Sequence, residues 1–60
     1  MNSNLPKDPA MLLSVLNLRM RDYGETLDDA CAYYGADRAQ IEEALRAIDY
    51  EYDETKRQFV

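Results

Sequence analysis

Sixty residues with 12 acidic and 7 basic side chains carry a formal charge of −5. At that length a chain can build only one small core, which excludes a two-lobed enzyme with an interdomain cleft. The acidic balance, with a sequence pI of about 4.4, opposes a main task of coating phosphate backbones.

Residues 1–60 read as a single domain with an N-terminal arm at 1–7. The start, Met1 to Asp8, has no basic segment followed by an apolar run, and no stretch approaches the length of a membrane span. Cys31 is the only cysteine, so no intrachain disulfide can form and a reducing compartment fits best. The expectation is a soluble, cytoplasmic protein. Seven Leu, two Ile, two Val and one Phe place the chain near the border of ordered composition, and five tyrosines tip it toward folding.

Asp8-Pro9 is a helix start, because the carboxylate can cap free N–H groups and proline at the first position gives up no needed donor. Helix one is predicted over about 9 to 22, or 8–23 with its caps. Met11, Leu12, Leu13, Val15, Leu16, Leu18, Met20 and Tyr23 cover an arc of about 220°, far wider than the stripe of an ordinary surface helix. Ser14, Asn17 and Arg21 form a polar stripe. Arg19 interrupts the arc, its stem expected along apolar surface and its head in water.

Gly24 ends the pattern, and Thr26 with Asp29 predicts a capping box for a second helix near 27 to 34, within 26–35. Leu27, Ala30, Cys31 and Tyr34 are its inner face, and Gly35 ends it. Asp37 with Gln40 repeats the capping signature. Ile41, Ala44, Leu45 and Ile48 then give a third helix near 38 to 48, within 37–49. From Tyr50 the period changes to 2, so residues 50–60 read as a strand-like tail, either extended or paired back through Gln58-Phe59-Val60. The fold class is mainly α: a three-helix domain with helix-turn-helix-like second and third helices and a short C-terminal β-hairpin or extended tail.

From Leu27 to Arg46 the fifth place is small (Cys31), the ninth is glycine (Gly35) and the fifteenth is branched (Ile41), as in helix-turn-helix units. Those positions serve packing; reading DNA needs donors on the second helix. Arg38, Gln40 and Arg46, with Lys56 and Arg57 as a wing tip, are the best nucleic-acid surface the chain offers. Against it, Glu25, Asp28, Asp29, Asp37, Glu42, Glu43, Asp49, Glu51, Asp53 and Glu54 face only Arg38 and Arg46 within residues 25–54.

Catalytic vocabulary is thin. Histidine is absent, which removes the commonest general base and metal ligand. The acids Asp28 and Asp29 precede Cys31 and would raise its thiol pKa, so the side chain reads as a small core residue. Asp49-x-Glu51-x-Asp53 opens like a calcium loop, but its sixth place is Glu54 where glycine is needed and its twelfth is Val60 where glutamate is needed. No catalytic, cofactor or metal residue is assigned, no small-molecule substrate is evident, and the chain is read as non-enzymatic.

The remaining signal is helix one, whose apolar circumference exceeds what two short helices can cover. Met11, Val15 and Leu18, with Asn17, Arg21 and Asp22 beside them and Tyr50, Tyr52 and Phe59 from the tail, are the candidate partner-binding residues. The partner is a second copy or another protein, while nucleic acid is the alternative.

Leu5-Pro6-Lys7-Asp8-Pro9, then Leu13-Ser14, Asn17, Arg21-Asp22, Leu27-Asp28, Cys31, Tyr50-Glu51-Tyr52-Asp53 and Gln58-Phe59 together resemble a family of short bacterial proteins, the domain of unknown function numbered 4250. The likeness covers nearly the whole chain, and its most specific pieces are Leu-Pro-Lys-Asp-Pro and the Tyr-x-Tyr-Asp tail. The family pattern has glycine where Asp49 stands and asparagine near Arg57. The resemblance implies a stand-alone bacterial cytoplasmic protein and brings no activity, ligand or catalytic residue with it.

Overall fold

The computed structural model describes residues 5–60. The first four positions of the arm, and the leader reading that falls on them, lie outside the described residues. Three helices run in order, α1 (Pro9–Tyr23), α2 (Leu27–Tyr34) and α3 (Arg38–Arg46), followed by a two-stranded antiparallel hairpin of β1 (Tyr52–Asp53) and β2 (Gln58–Phe59).

Each helix starts where its local chemistry starts it. The Asp8 carboxylate accepts from the Met11 amide at 3.1 Å, ahead of Pro9. Thr26 and Asp29 close a reciprocal capping box, the Asp29 amide donating to the Thr26 hydroxyl and the Thr26 amide to the Asp29 carboxylate. Asp37 accepts from the Ala39 amide at 3.0 Å.

The three C-termini share one device. Gly24 and Gly35 sit in left-handed backbone, with φ of 62° and 68°. In each case the amide one residue further on bonds back five residues, Glu25 to the Met20 carbonyl and Ala36 to the Cys31 carbonyl. Helix three ends the same way on a residue that carries a side chain. Asp49 has φ of 66°, and the Tyr50 amide reaches the Leu45 carbonyl at 2.9 Å.

Regular helix therefore stops at Arg46, short of the expected 48. Ile48 and Asp49 bond three residues back, to Leu45 and Arg46, which tightens the final turn. Tyr50 belongs to this closure, so the strand begins later than the tyrosine alternation suggests.

The tail is a hairpin. Tyr52 pairs with Phe59 and Asp53 with Gln58; Glu51 and Val60 exchange both backbone bonds, at 3.0 and 2.8 Å. The Asp53 carboxylate organises the turn by accepting from the Thr55 and Lys56 amides, and Arg57 completes it with φ of 54°. No Asn-Gly pair is needed, because one carboxylate and one left-handed residue do the turning.

The core is a single cluster: Leu12, Leu16 and Met20 from α1, Leu27, Ala30 and Cys31 from α2, Ile41 and Leu45 from α3, and Phe59 from β2. It contains no buried polar or charged residue among the described residues. The hairpin lies on α1, where Phe59 is 2% exposed, and Tyr52 packs beside it with ring centroids 5.6 Å apart. The Tyr52 hydroxyl oxygen accepts from the Leu27 amide, satisfying one free donor at the start of α2.

Candidate interaction surface

Two registers of α1 have separate fates. Leu12, Leu16 and Met20 recur at i, i+4, i+8 and face the core. On the far side, Met11, Val15 and Leu18 recur at i, i+4, i+7, and Asp22 continues their line. Met11 is 59% and Leu18 50% exposed, and Val15 is half-buried. The wide apolar arc is thus split. Helices α2 and α3 and the hairpin cover one side, leaving a short bare stripe about 10 Å long on the other.

Asn17 does not join that stripe. Its amide faces the backbone of Phe59, accepting from the Phe59 amide at 2.8 Å and donating to the Phe59 carbonyl at 3.2 Å. Because Glu51 and Val60 exchange hydrogen bonds and Tyr52 faces Phe59, the N–H and C=O of Phe59 point away from β1. The side-chain amide therefore stands where a third strand's peptide would, closing the outer edge of β2.

Among the expected partner-binding residues, Met11, Val15, Leu18, Arg21 and Asp22 remain together on the outward side of α1. Tyr50, 36% exposed, lines a shallow groove with Leu18, Asn17 and Arg21. Three others are corrected. Phe59 is inside the core, Tyr52 is half-buried against it, and Asn17 is bound to the hairpin backbone. Phe59 and Tyr52 pack on the core side of α1 and do not extend its exposed surface; of the tail aromatics, Tyr50 alone borders it.

The nucleic-acid residues do not assemble into a cationic face. Arg38 is bound to Asp28 at 3.0 Å and Glu42 at 3.3 Å, and its guanidinium lies 5.3 Å from the Tyr52 ring centroid. The hydrogen bond to Asp28 is the main reason its proton is held more tightly than usual. Arg57 donates to the Gly24 carbonyl at 2.8 Å. Gln40, Arg46 and Lys56 are exposed, which leaves two free cations of the original four amid the acids of α2 and α3.

Sequence reading also misplaced Arg19. Its head is held in a cluster: Nε and Nη2 donate to both oxygens of Glu25, at 3.0 and 3.2 Å, and the guanidinium lies 4.3 Å from the Tyr23 ring centroid and 3.5 Å from that of Tyr33. The Glu25 hydrogen bond holds the Arg19 proton above its ordinary range. Tyr33 and Tyr34 meet edge to face at 4.9 Å. The cluster joins the end of α1 to the end of α2. The hint in the sequence was an arginine inside an apolar arc with Tyr23 one turn further along the same helix; Tyr33, 14 residues on in α2, gave no such signal.

Little here resembles a reacting centre. Cys31 is 4% exposed, and burial pushes its thiol pKa up, with Asp28, Glu42 and Asp37 adding to the rise and Arg38 opposing it. Among the described residues no group of three or more histidine, cysteine or carboxylate side chains could hold a metal ion. No helix among them is long and apolar enough to cross a membrane.

No curated protein and no solved structure matches the chain. The family model described as Domain of unknown function (DUF4250) matches residues 6–59, from the proline of the arm to the core phenylalanine of β2. The match spans the caps, the three helices and the hairpin described above, and the chain belongs to that family.

Proposed function

We propose that this protein is a non-enzymatic interaction module which docks another protein chain on the outward face of α1. The observation that carries the reading is the bare stripe of Met11, Val15 and Leu18, bordered by Tyr50 on one side and by Arg21 and Asp22 at its end. Two apolar side chains half or more exposed two turns apart on one face of a helix, with half-buried Val15 between them, are costly to leave in water, and an apolar centre with a polar rim is the usual make-up of a docking surface. A non-enzymatic role is supported by the lack of histidine, and by burial of the one thiol in its protonated form. The engagement of Arg38 and Arg57 in internal bonds supports a protein partner over a nucleic acid.

Site-specific photo-crosslinking in the native cell tests this. A crosslinker at Val15 or Leu18 is expected to give discrete protein adducts, while one at Glu43 or Glu54, both exposed, gives none. Absence of adducts from Val15 and Leu18 refutes the reading.

A further inference from the structure

Side chains from elsewhere in the fold grip the link between α1 and α2. Arg57, in the hairpin turn, donates Nη1 to the Gly24 carbonyl at 2.8 Å. Tyr52, in β1, accepts from the Leu27 amide at 3.2 Å. Between those two ends, Glu25 accepts from Nε and Nη2 of Arg19 at 3.0 and 3.2 Å. The hairpin thus holds both ends of the link, and the carboxylate that anchors the Arg19 head stands between them. That head lies 3.5 Å from the Tyr33 ring centroid, and Arg19 and Tyr23 line a shallow groove with Val15 and Leu18 of the bare stripe.

The hairpin is also the element best suited to lift off. Its strands are two residues each, and a two-stranded hairpin is marginal when it stands alone. Phe59 is its contribution to the buried core. Its other attachments are hydrogen bonds at partly buried or exposed positions, from Asn17 to the Phe59 backbone and through Tyr52 and Arg57 to the link.

We infer that the C-terminal hairpin is a strap. Docked, it fixes the link between α1 and α2 and, through Glu25, holds the Arg19 cluster in place; lifted, it frees both. The coupling is a property of the fold, so it goes beyond the docking role of α1 and stands whether or not a partner binds there. One element with two arrangements, biased by contacts at separate places, is what couples those places energetically. Because such coupling is reciprocal, loosening the Arg19 cluster must loosen the strap.

Amide hydrogen exchange of the whole chain, read by NMR, tests this. In the parent the Glu51 and Phe59 amides are expected to exchange at least about tenfold faster than the Leu16 amide inside α1, because the strap opens without the helices. Glu25→Ala frees the Arg19 head, and Glu51 should then exchange about threefold faster, although no hydrogen bond joins Glu25 to the hairpin. Tyr52→Phe with Arg57→Asn removes both grips of the hairpin on the link. It keeps the ring beside Phe59 and a residue that tolerates left-handed backbone at position 57. In that background Glu25→Ala should leave Glu51 exchange unchanged. Should the double variant lose helical circular dichroism, Tyr52→Phe alone serves as the background, where the effect of Glu25→Ala should be smaller than in the parent. Equal exchange of Glu51 and Leu16 in the parent would show that the hairpin opens only with the whole molecule and overturn the strap. No effect of Glu25→Ala in the parent, or the same fold-change with and without the two grips, would overturn the coupling.

Discussion

The Asn17 side chain holds the outer edge of the hairpin, and its removal has a calculable cost. Two hydrogen bonds join its amide to the Phe59 backbone, and both groups are partly buried. Asn17→Leu keeps the bulk and removes both partners. Each bond is worth about 1 kcal/mol, and each backbone group left facing an apolar side chain adds a penalty of about 1–3 kcal/mol, reduced here by partial access to water. The net expectation is about 3 kcal/mol. A 60-residue domain has a total stability of only about 3–9 kcal/mol, so the hairpin should peel from α1, exposing Leu12 and Leu16. Urea unfolding followed by circular dichroism should show the midpoint collapse, and the Phe59 amide should lose its protection against hydrogen exchange. Asn17→Asp refines the test. At neutral pH its carboxylate still accepts from the Phe59 amide but opposes the Phe59 carbonyl; protonated, it can donate to that carbonyl. The charged form is the disfavoured one, so the folded-state pKa of the new acid lies above its unfolded value of about 3.9. The deficit of this variant should therefore shrink below about pH 4 and grow as pH rises through the folded pKa. If Asn17→Leu is within about 0.5 kcal/mol of the parent and the Phe59 amide stays protected, the edge-closing role assigned to this amide is wrong.

Three further outcomes follow from the same geometry. Asp49→Gly should raise stability by about 0.5–1 kcal/mol, a gain of a few degrees in Tm, because it removes a side chain from left-handed backbone at φ of 66°; an unchanged or lower Tm by calorimetry contradicts this. Gly24→Ala should lose about 1 kcal/mol although nothing lies within 4 Å of the added carbon, so a neutral effect in urea would show that the helix end can relax. For Cys31, whose pKa burial raises, the folded state keeps its proton to higher pH than the unfolded chain. That contribution is full below the unfolded thiol pKa of about 8.5 and is lost as pH rises through the folded value. The parent should therefore lose stability relative to Cys31→Ala as pH rises above about 8.5, as read by parallel urea titrations, and a difference that stays constant as pH is raised would refute it.

All helix boundaries except the end of α3 were legible from residue order, because capping is a local transaction. Asp8-Pro9, Thr26 with Asp29, Asp37, Gly24 and Gly35 all act across two to five residues, and the structure uses each of them. The resemblance pointed at the remaining irregularity: Asp49, and Arg57 with its φ of 54°, stand where the pattern has glycine and near where it has asparagine, the residues that tolerate such backbone. What residue order could not supply was partnership at long range. Asn17 and Phe59 are 42 residues apart, so nothing in helical periodicity distinguishes an amide that closes a strand edge from one that faces water or a subunit. The same limit applies to Arg19 among its tyrosines, and to the division of α1 into a covered side and a bare one. Periodicity reports how much of a helix is apolar; which part of it is covered depends on where the hairpin settles, and that is decided only when all the elements pack together at once.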